Sequence, residues 1–156
     1  MPTPAVTAHA STSMLVFFDL PTGCYAHPMP NDMHAPHLRA GEWAVIDPAC
    51  REIEPGELYL VRQSSGPIVW QVLPSRRPTP ERPCWMLAPM NRPSSYDDAM
   101  RALKAGQRVY CSDGPIYGDC LDVLGKVVGV FVPLVDPMPA AVLPMIGRPA
   151  LLEARP

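Results

Sequence analysis

The sequence predicts a mainly β domain of antiparallel strands carrying one short helix. Proline makes up 22 of the 156 residues, nearly three times the ordinary share of about 5%. The longest windows without it are residues 94–114 and 116–132. Because a proline inside a helix costs about 3 kcal/mol, a helical bundle has no room. Between the prolines, short apolar, β-branched or aromatic runs alternate with turn residues, the pattern of strands joined by tight turns. With 47% apolar and 18% charged residues, the chain has enough hydrophobic matter for a packed core and does not read as disordered throughout. One domain of roughly 100–150 residues is the natural size. It is expected over residues 14–136, between a flexible N-terminal tail at 1–13 and a proline-rich C-terminal tail at 137–156.

The elements follow in order. Residues 43–46 form a first run, ended by Asp47-Pro48. Glu54-Pro55-Gly56 places proline and glycine where a tight turn needs them, and 58–61 follows as a strand. Ser64-Ser65-Gly66 closes a hairpin onto 68–73. Residues 74–83, basic and proline-rich, read as a solvated loop, and 85–87 as a fourth strand. A helix becomes plausible only at 96–104, where Ser95 and Asp98 make an S-x-x-D start, no breaker intervenes, and Gly106 supplies a stop. Strands are expected again at 109–111 and from 123 to 135, with Gly125 and Gly129 as bend or bulge points. The C-terminal tail, with five prolines around an apolar run that includes 140–143 and Ile146, is too broken for a helix and apolar enough to lie docked in extended form.

Bulk properties close several functional classes. Thirteen basic against fifteen acidic residues leave a formal net charge of −2, so no global positive field draws the chain onto nucleic acid. The apolar stretch 14–20 is short, carries Asp19 and meets Pro21, which fits neither a signal peptide nor a membrane span. The chain reads as soluble and cytoplasmic. Cys24, Cys50, Cys84, Cys111 and Cys120 are odd in number, widely spaced and without a C-x-x-C pair, so reduced, mostly buried thiols are expected and neither a disulfide framework nor a zinc knuckle. His34 and His37, three apart beside Asp32, read as a solvated loop pair and not as metal ligands, since catalytic zinc needs three protein ligands on a rigid frame. Asp97, Asp98, Asp113, Asp119 and Asp122 read as caps, turn formers and solvated charges. No glycine-rich phosphate loop is present, and no cofactor is expected.

Residues 31–47 carry a resemblance to a known family. Asp32, Pro36, Leu38, Gly41 and Asp47 fall in register with Gly-Asp-Ser-Met-x-Pro-x-Leu-x-x-Gly-Asp and the apolar strand ending in Asp that follows it, with Glu42 standing for the acidic residue. Residues 54–61 resemble a "dG-x-hydrophobic" strand. Residues 87–98 resemble "L-x-x-x-N-x-x-Y", with Asn91 in place and Tyr96 falling late of the tyrosine position. Residues 123–130, Val-Leu-Gly-Lys-Val-Val-Gly-Val, resemble a closing "i-x-G-r-V-v-g-v" strand containing Gly125 and Gly129. Four blocks in the right order over about 30–135 resemble the LexA-like self-cleaving repressors and their signal-peptidase relatives. The resemblance implies that family's antiparallel β fold, pairing of subunits into a homodimer, and a place in bacterial transcription regulation such as the SOS response.

That family's chemistry is a serine–lysine dyad: the serine hydroxyl attacks a peptide carbonyl, and a lysine kept neutral by burial accepts the proton. On the same register the serine position is Met33 and the lysine position is Trp70. A thioether has no proton to lose, and an indole accepts none near neutral pH. The resemblance implies a cut at an Ala-Gly or Cys-Gly pair upstream of the serine, and upstream of Met33 the chain offers only Gly23-Cys24, the reverse order. The chain therefore reads as a pseudopeptidase, with Met33 and Trp70 filling the former cleft by packing together; a separation above roughly 10 Å would overturn that pairing.

Three functional classes remain. The first is a dimerisation or protein-binding regulatory module, paired with itself or with a partner such as a repressor, without direct nucleic-acid contact because no helix-turn-helix precedes the motif. The second is a self-cleaving or processing peptidase with a relocated nucleophile, drawn from Ser64, Ser65, Ser94 or Ser95 with Lys104 or Lys126. The third is a ligand or metal sensor using the vestigial cleft.

Overall fold

The computed structural model describes residues 14–75 and 83–133. Eight strands form one sheet: β1 (Leu15–Phe17), β2 (Tyr25–Pro28), β3 (Trp43–Asp47), β4 (Leu58–Gln63), β5 (Gly66–Pro74), β6 (Cys84–Ala88), β7 (Asp113–Tyr117) and β8 (Val123–Phe131). Their order is β2-β3-β8-β4-β5-β6-β7, and every pairing along it is antiparallel. β1 lies off this path, parallel to β8, with Leu15 opposite Gly129 and Phe17 opposite Phe131. The one α-helix among the described residues, α1 (Tyr96–Lys104), buries no residue. Mainly β with one short helix is therefore the architecture.

Both faces of the central strands are apolar, and each feeds a different core. On β4, Leu58 and Leu60 join Ala44, Ile46, Val69, Val127 and Val130 on one face, while Tyr59 and Val61 join Trp70, Val72, Leu87 and Val123 on the other. This follows from the two-residue period of a strand. A run with four consecutive buried residues, as in Leu58–Gln63, needs cover on both sides, which the loop between β2 and β3 and the β6–β7 half of the sheet supply.

The turns behave as their residues dictate. The Glu57 N–H donates to Glu54 O across Pro55-Gly56, and Ser64-Ser65 links β4 to β5 with Gln63 opposite Gly66. At α1, Ser95 Oγ accepts from the Asp98 N–H at 3.1 Å and donates to Asp98 Oδ2 at 2.8 Å. On β8, register shifts fall beside both glycines, and close approach explains the residue type. A Cβ on Gly125 would sit 2.6 Å from Asp47 O, and one on Gly129 would strike Leu15 O and the Phe17 ring.

Some expectations need correction. Residues 109–111 are not a strand; the strand lies at Asp113–Tyr117, because an edge position tolerates the Gly114-Pro115 pair that otherwise reads as a break. β1 and β2, three and four residues long, carry too little periodicity to be seen in sequence. The final strand ends at Phe131. The cysteines are not mostly buried: Cys84 is, Cys24 is half-buried, and Cys50, Cys111 and Cys120 are exposed, since they sit in turns and loops outside the sheet. Most of the expected loop at 74–83 and both expected tails lie outside the described residues. Among the described residues, no helix is long and apolar enough to cross a membrane.

Candidate functional site

Residues 31–42 of the motif form a closed loop between β2 and β3, and its polar side chains serve its own backbone. At the neck, Met29 N–H donates to Glu42 O and Gly41 N–H to Met29 O, at 2.8 and 2.9 Å. Gly41 has φ +86°, a left-handed conformation that costs glycine nothing and other residues strain. Asp32 Oδ1 accepts from Ala40 N–H at 2.9 Å, Glu42 Oε2 from Arg39 N–H at 2.7 Å, and Asn31 Oδ1 from Met33 N–H at 3.1 Å. Leu38 is fully buried in the first core, whereas Pro36, joined to Ala35 by a cis peptide, is exposed. Asp47, at the end of β3, accepts from Ala49 N–H at 2.9 Å and from the Cys50 thiol at 3.2 Å. These two donors hold its carboxyl below the ordinary range.

Two neighbours fasten the loop to the sheet. His34 is completely buried, and Val69 O on β5 lies 2.8 Å from its Nε2. A carbonyl only accepts, so Nε2 carries the proton and Nδ1 is left to accept from Met90 N–H at 3.4 Å. Burial pushes the imidazole pKa down, against the opposing pull of the Val69 carbonyl. This corrects the reading of His34 and His37 as a solvated pair: His37 is half-buried, but His34 is a core residue satisfied on both nitrogens. From the other side, Asn91 N–H donates to Met33 O at 2.9 Å, and Asn91 Nδ2 donates to Asp32 O at 3.3 Å. Arg92 continues the seam, donating to Gln71 Oε1 on β5 and to Pro89 O.

Met33 and Trp70 are both buried in the second core, with Tyr59, Val61, Val72, Leu87 and Val123. Trp70 stands opposite Tyr59 on β4 and directly follows the carbonyl that holds His34. Its indole N–H is buried with no hydrogen-bond partner among the described residues. Tyr59 is fully satisfied: its hydroxyl donates to Glu52 O and accepts from Glu54 N–H, both at 2.8 Å. The structure thus brings Asp32, Met33, His34, Val69, Trp70 and Asn91 into one seam. It does not bring Tyr96 there, which begins α1 fully in solvent. Sequence reasoning missed His34 as the staple of this seam; its only sequence signal is its position beside Met33 in the motif.

Three of the residues named for a relocated dyad, Ser94, Ser95 and Lys126, have other partners. Ser94 and Ser95 both donate to Asp98. Lys126 is paired with Glu54 at 2.9 Å and Glu57 at 3.5 Å. Partial burial opposes its charge, but the carboxylates outweigh it and its pKa is raised, the reverse of what a general base requires. Ser64 borders a recess of about 310 Å³ at the β4–β5 hairpin end, floored by Val61, Leu87, Ile116 and Leu121 and rimmed by Arg62, Gln63, Asp113 and Cys120. Neither Met33 nor Trp70 lines it. Among the described residues, no three His, Cys, Asp or Glu side chains come together as a metal-ligand set. Compared with family models, with curated proteins and with solved structures, the chain has no match.

Proposed function

We propose that this chain is a non-catalytic LexA-like or signal-peptidase-like domain, a regulatory module that works by pairing with itself or with a protein partner. The observation that carries the reading is the placement of Met33 and Trp70, the two dyad positions of the resemblance, in one buried apolar cluster, with the Met33 backbone clamped by Asn91. Neither side chain can attack a carbonyl or accept a proton, and together they occupy apolar space that a working dyad would need for a hydroxyl and an amine. The module acts in the cytoplasm, within transcription regulation of the SOS or mobile-element kind, through a partner such as a repressor.

Incubating the purified chain at alkaline pH and weighing it intact tests the catalytic half of this reading. An unchanged mass is expected, and any defined internal cut overturns it. Light scattering behind size exclusion tests the pairing half: a dimer is expected, and a monomer at high concentration counts against self-pairing. The recess at the hairpin end favours a second reading, a small-ligand sensor. It predicts ligand-induced thermal stabilisation that is lost when Leu121→Arg fills the recess.

A further inference from the structure

α1 has an apolar side that covers nothing. Tyr96, Ala99, Met100 and Leu103 recur at i, i+3, i+4 and i+7, the spacing that lines up one face of a helix and normally turns it into a core. Here Tyr96 is 78% and Leu103 53% exposed, Ala99 and Met100 are half-buried, and no residue of the helix is buried. Single exposed apolar residues are ordinary, but a tyrosine, a methionine and a leucine aligned into one ridge mark a contact surface.

The charges beside the ridge select what it contacts. At about 3.6 residues per turn, Asp97 and Lys104 lie one above the other along a single flank of the ridge, the acid at the N-terminal end and the base at the C-terminal end. Among the described residues neither side chain has a hydrogen-bond or ion-pair partner. On the side of the helix away from the ridge, Asp98 and Arg101 are paired with each other at 3.1 Å. A second α1 laid antiparallel across a two-fold axis brings the same flank of both helices together, and in a two-fold contact residue i meets j while j meets i. Asp97 of each copy then faces Lys104 of the other, so the contact contains the pair twice.

We propose that α1 is a self-association surface, on which a second copy of this chain packs its own α1 antiparallel, with Tyr96 over Leu103 and Asp97 against Lys104. The inference rests on the self-pairing half of the proposed function and is independent of the catalytic status of Met33 and Trp70. A helix of this length spans only about 14 Å, so the contact covers less than the roughly 800 Å² per partner of a stable complex. The dimer is therefore weak and concentration-dependent.

Sedimentation of the full-length chain over a range of concentrations tests it. The wild type is expected to dimerise reversibly. Leu103→Arg, which keeps the last turn basic and alters no buried residue, is expected to weaken association by roughly tenfold or more while the thermal midpoint of the monomer stays put. Asp97→Lys and Lys104→Asp are each expected to weaken it by roughly tenfold, since two attractive pairs become two repulsive ones. An equimolar mixture of those two variants is expected to regain wild-type affinity as a heterodimer, which a merely structural role of either residue would not produce. A wild-type dimer indifferent to all three substitutions, or a mixture that regains nothing, overturns the α1 surface and leaves self-pairing standing. A wild type that stays monomeric at every concentration overturns both. In that monomer, slow nitration of Tyr96 assigns the ridge to cover by the same chain, and fast nitration leaves it to a different protein.

Discussion

The loop between β2 and β3 and the helix α1 both rely on side chains that hydrogen-bond to backbone, but they are held in opposite ways. α1 is stabilised within its own sequence: Ser95 and Asp98 cap each other, Asp97 and Asp98 face the positive end of the helix dipole, and Arg101 and Lys104 the negative end. No residue of it is buried. The loop has local bonds too, yet its decisive anchors come from far away in sequence, Val69 and Met90 on His34 and Asn91 on Met33. A segment fixed by distant partners is coupled to the whole fold, while one fixed by its neighbours can fray alone. Substitutions should separate the two regions by size and reach of effect.

The largest effect is expected at Leu38, the fully buried apolar anchor of the loop. Leu38→Ala removes three carbons from the first core and should lower global stability by about 2–5 kcal/mol, read from the midpoint of a urea transition at unchanged slope. A loss under about 1 kcal/mol would mean that the loop is not integral to the core.

His34→Gln comes next. A glutamine amide can replace one of the two imidazole contacts, leaving either Val69 O or Met90 N–H buried and unpaired, for a loss of about 1–3 kcal/mol. The same residue makes stability depend on pH. Burial puts the folded-state pKa of His34 below its ordinary value of 6.5, and His27 on β2 is lowered for the same reason. The unfolded chain therefore binds protons more readily, so their contribution is fully present above about pH 6.5 and is lost as pH falls below it. In His34→Gln the decline that sets in below pH 6.5, before the depressed carboxyls of Asp47 and Asp98 begin to titrate, should shrink to the part that His27 supplies; an unchanged decline would remove His34 from the account.

How much of this was legible in the sequence follows the same division. α1, with its cap residue, its bounds and its stop at Gly106, could be read because every signal lies within about ten residues. The hairpin at Ser64-Ser65 and the turn at Pro55-Gly56 were legible for that reason too. Asp32, Leu38, Gly41 and Asp47 could be picked out as a pattern, but not the jobs of Asp32 and Asp47, which serve as backbone acceptors. His34 was misread because nothing within its own stretch indicates that a carbonyl of β5 and an amide of residue 90 will close around it. β7 was misplaced because its Gly114-Pro115 is a break in a central strand and acceptable at an edge, and edge position is a property of the whole sheet. Met33 and Trp70 could be paired from the sequence only through a resemblance, since residues 37 positions apart share no local signal.

Trp70 bridges the comparison, being a core residue with one local defect. Its indole N–H has no partner among the described residues, a condition that costs roughly 1–3 kcal/mol. Trp70→Phe removes that donor while leaving most of the ring. The loss of packing should be largely offset, giving a change within about 1 kcal/mol, whereas Met33→Ala in the same cluster should cost about 2–5 kcal/mol. A Trp70→Phe loss as large as that of Met33→Ala would show that the indole N–H is satisfied.

The smallest effect belongs to the helix. Ser95→Ala deletes the Oγ that accepts from Asp98 N–H and frees one orphan donor of the first turn, worth about 1 kcal/mol. Because α1 buries nothing, that loss should stay local: amides of 97–104 should exchange roughly fivefold faster, a factor that matches about 1 kcal/mol, while those of β4 and β5 keep their wild-type rates. If Ser95→Ala instead speeds exchange across the sheet, α1 is coupled to the core in spite of its exposure, and the contrast with the loop disappears.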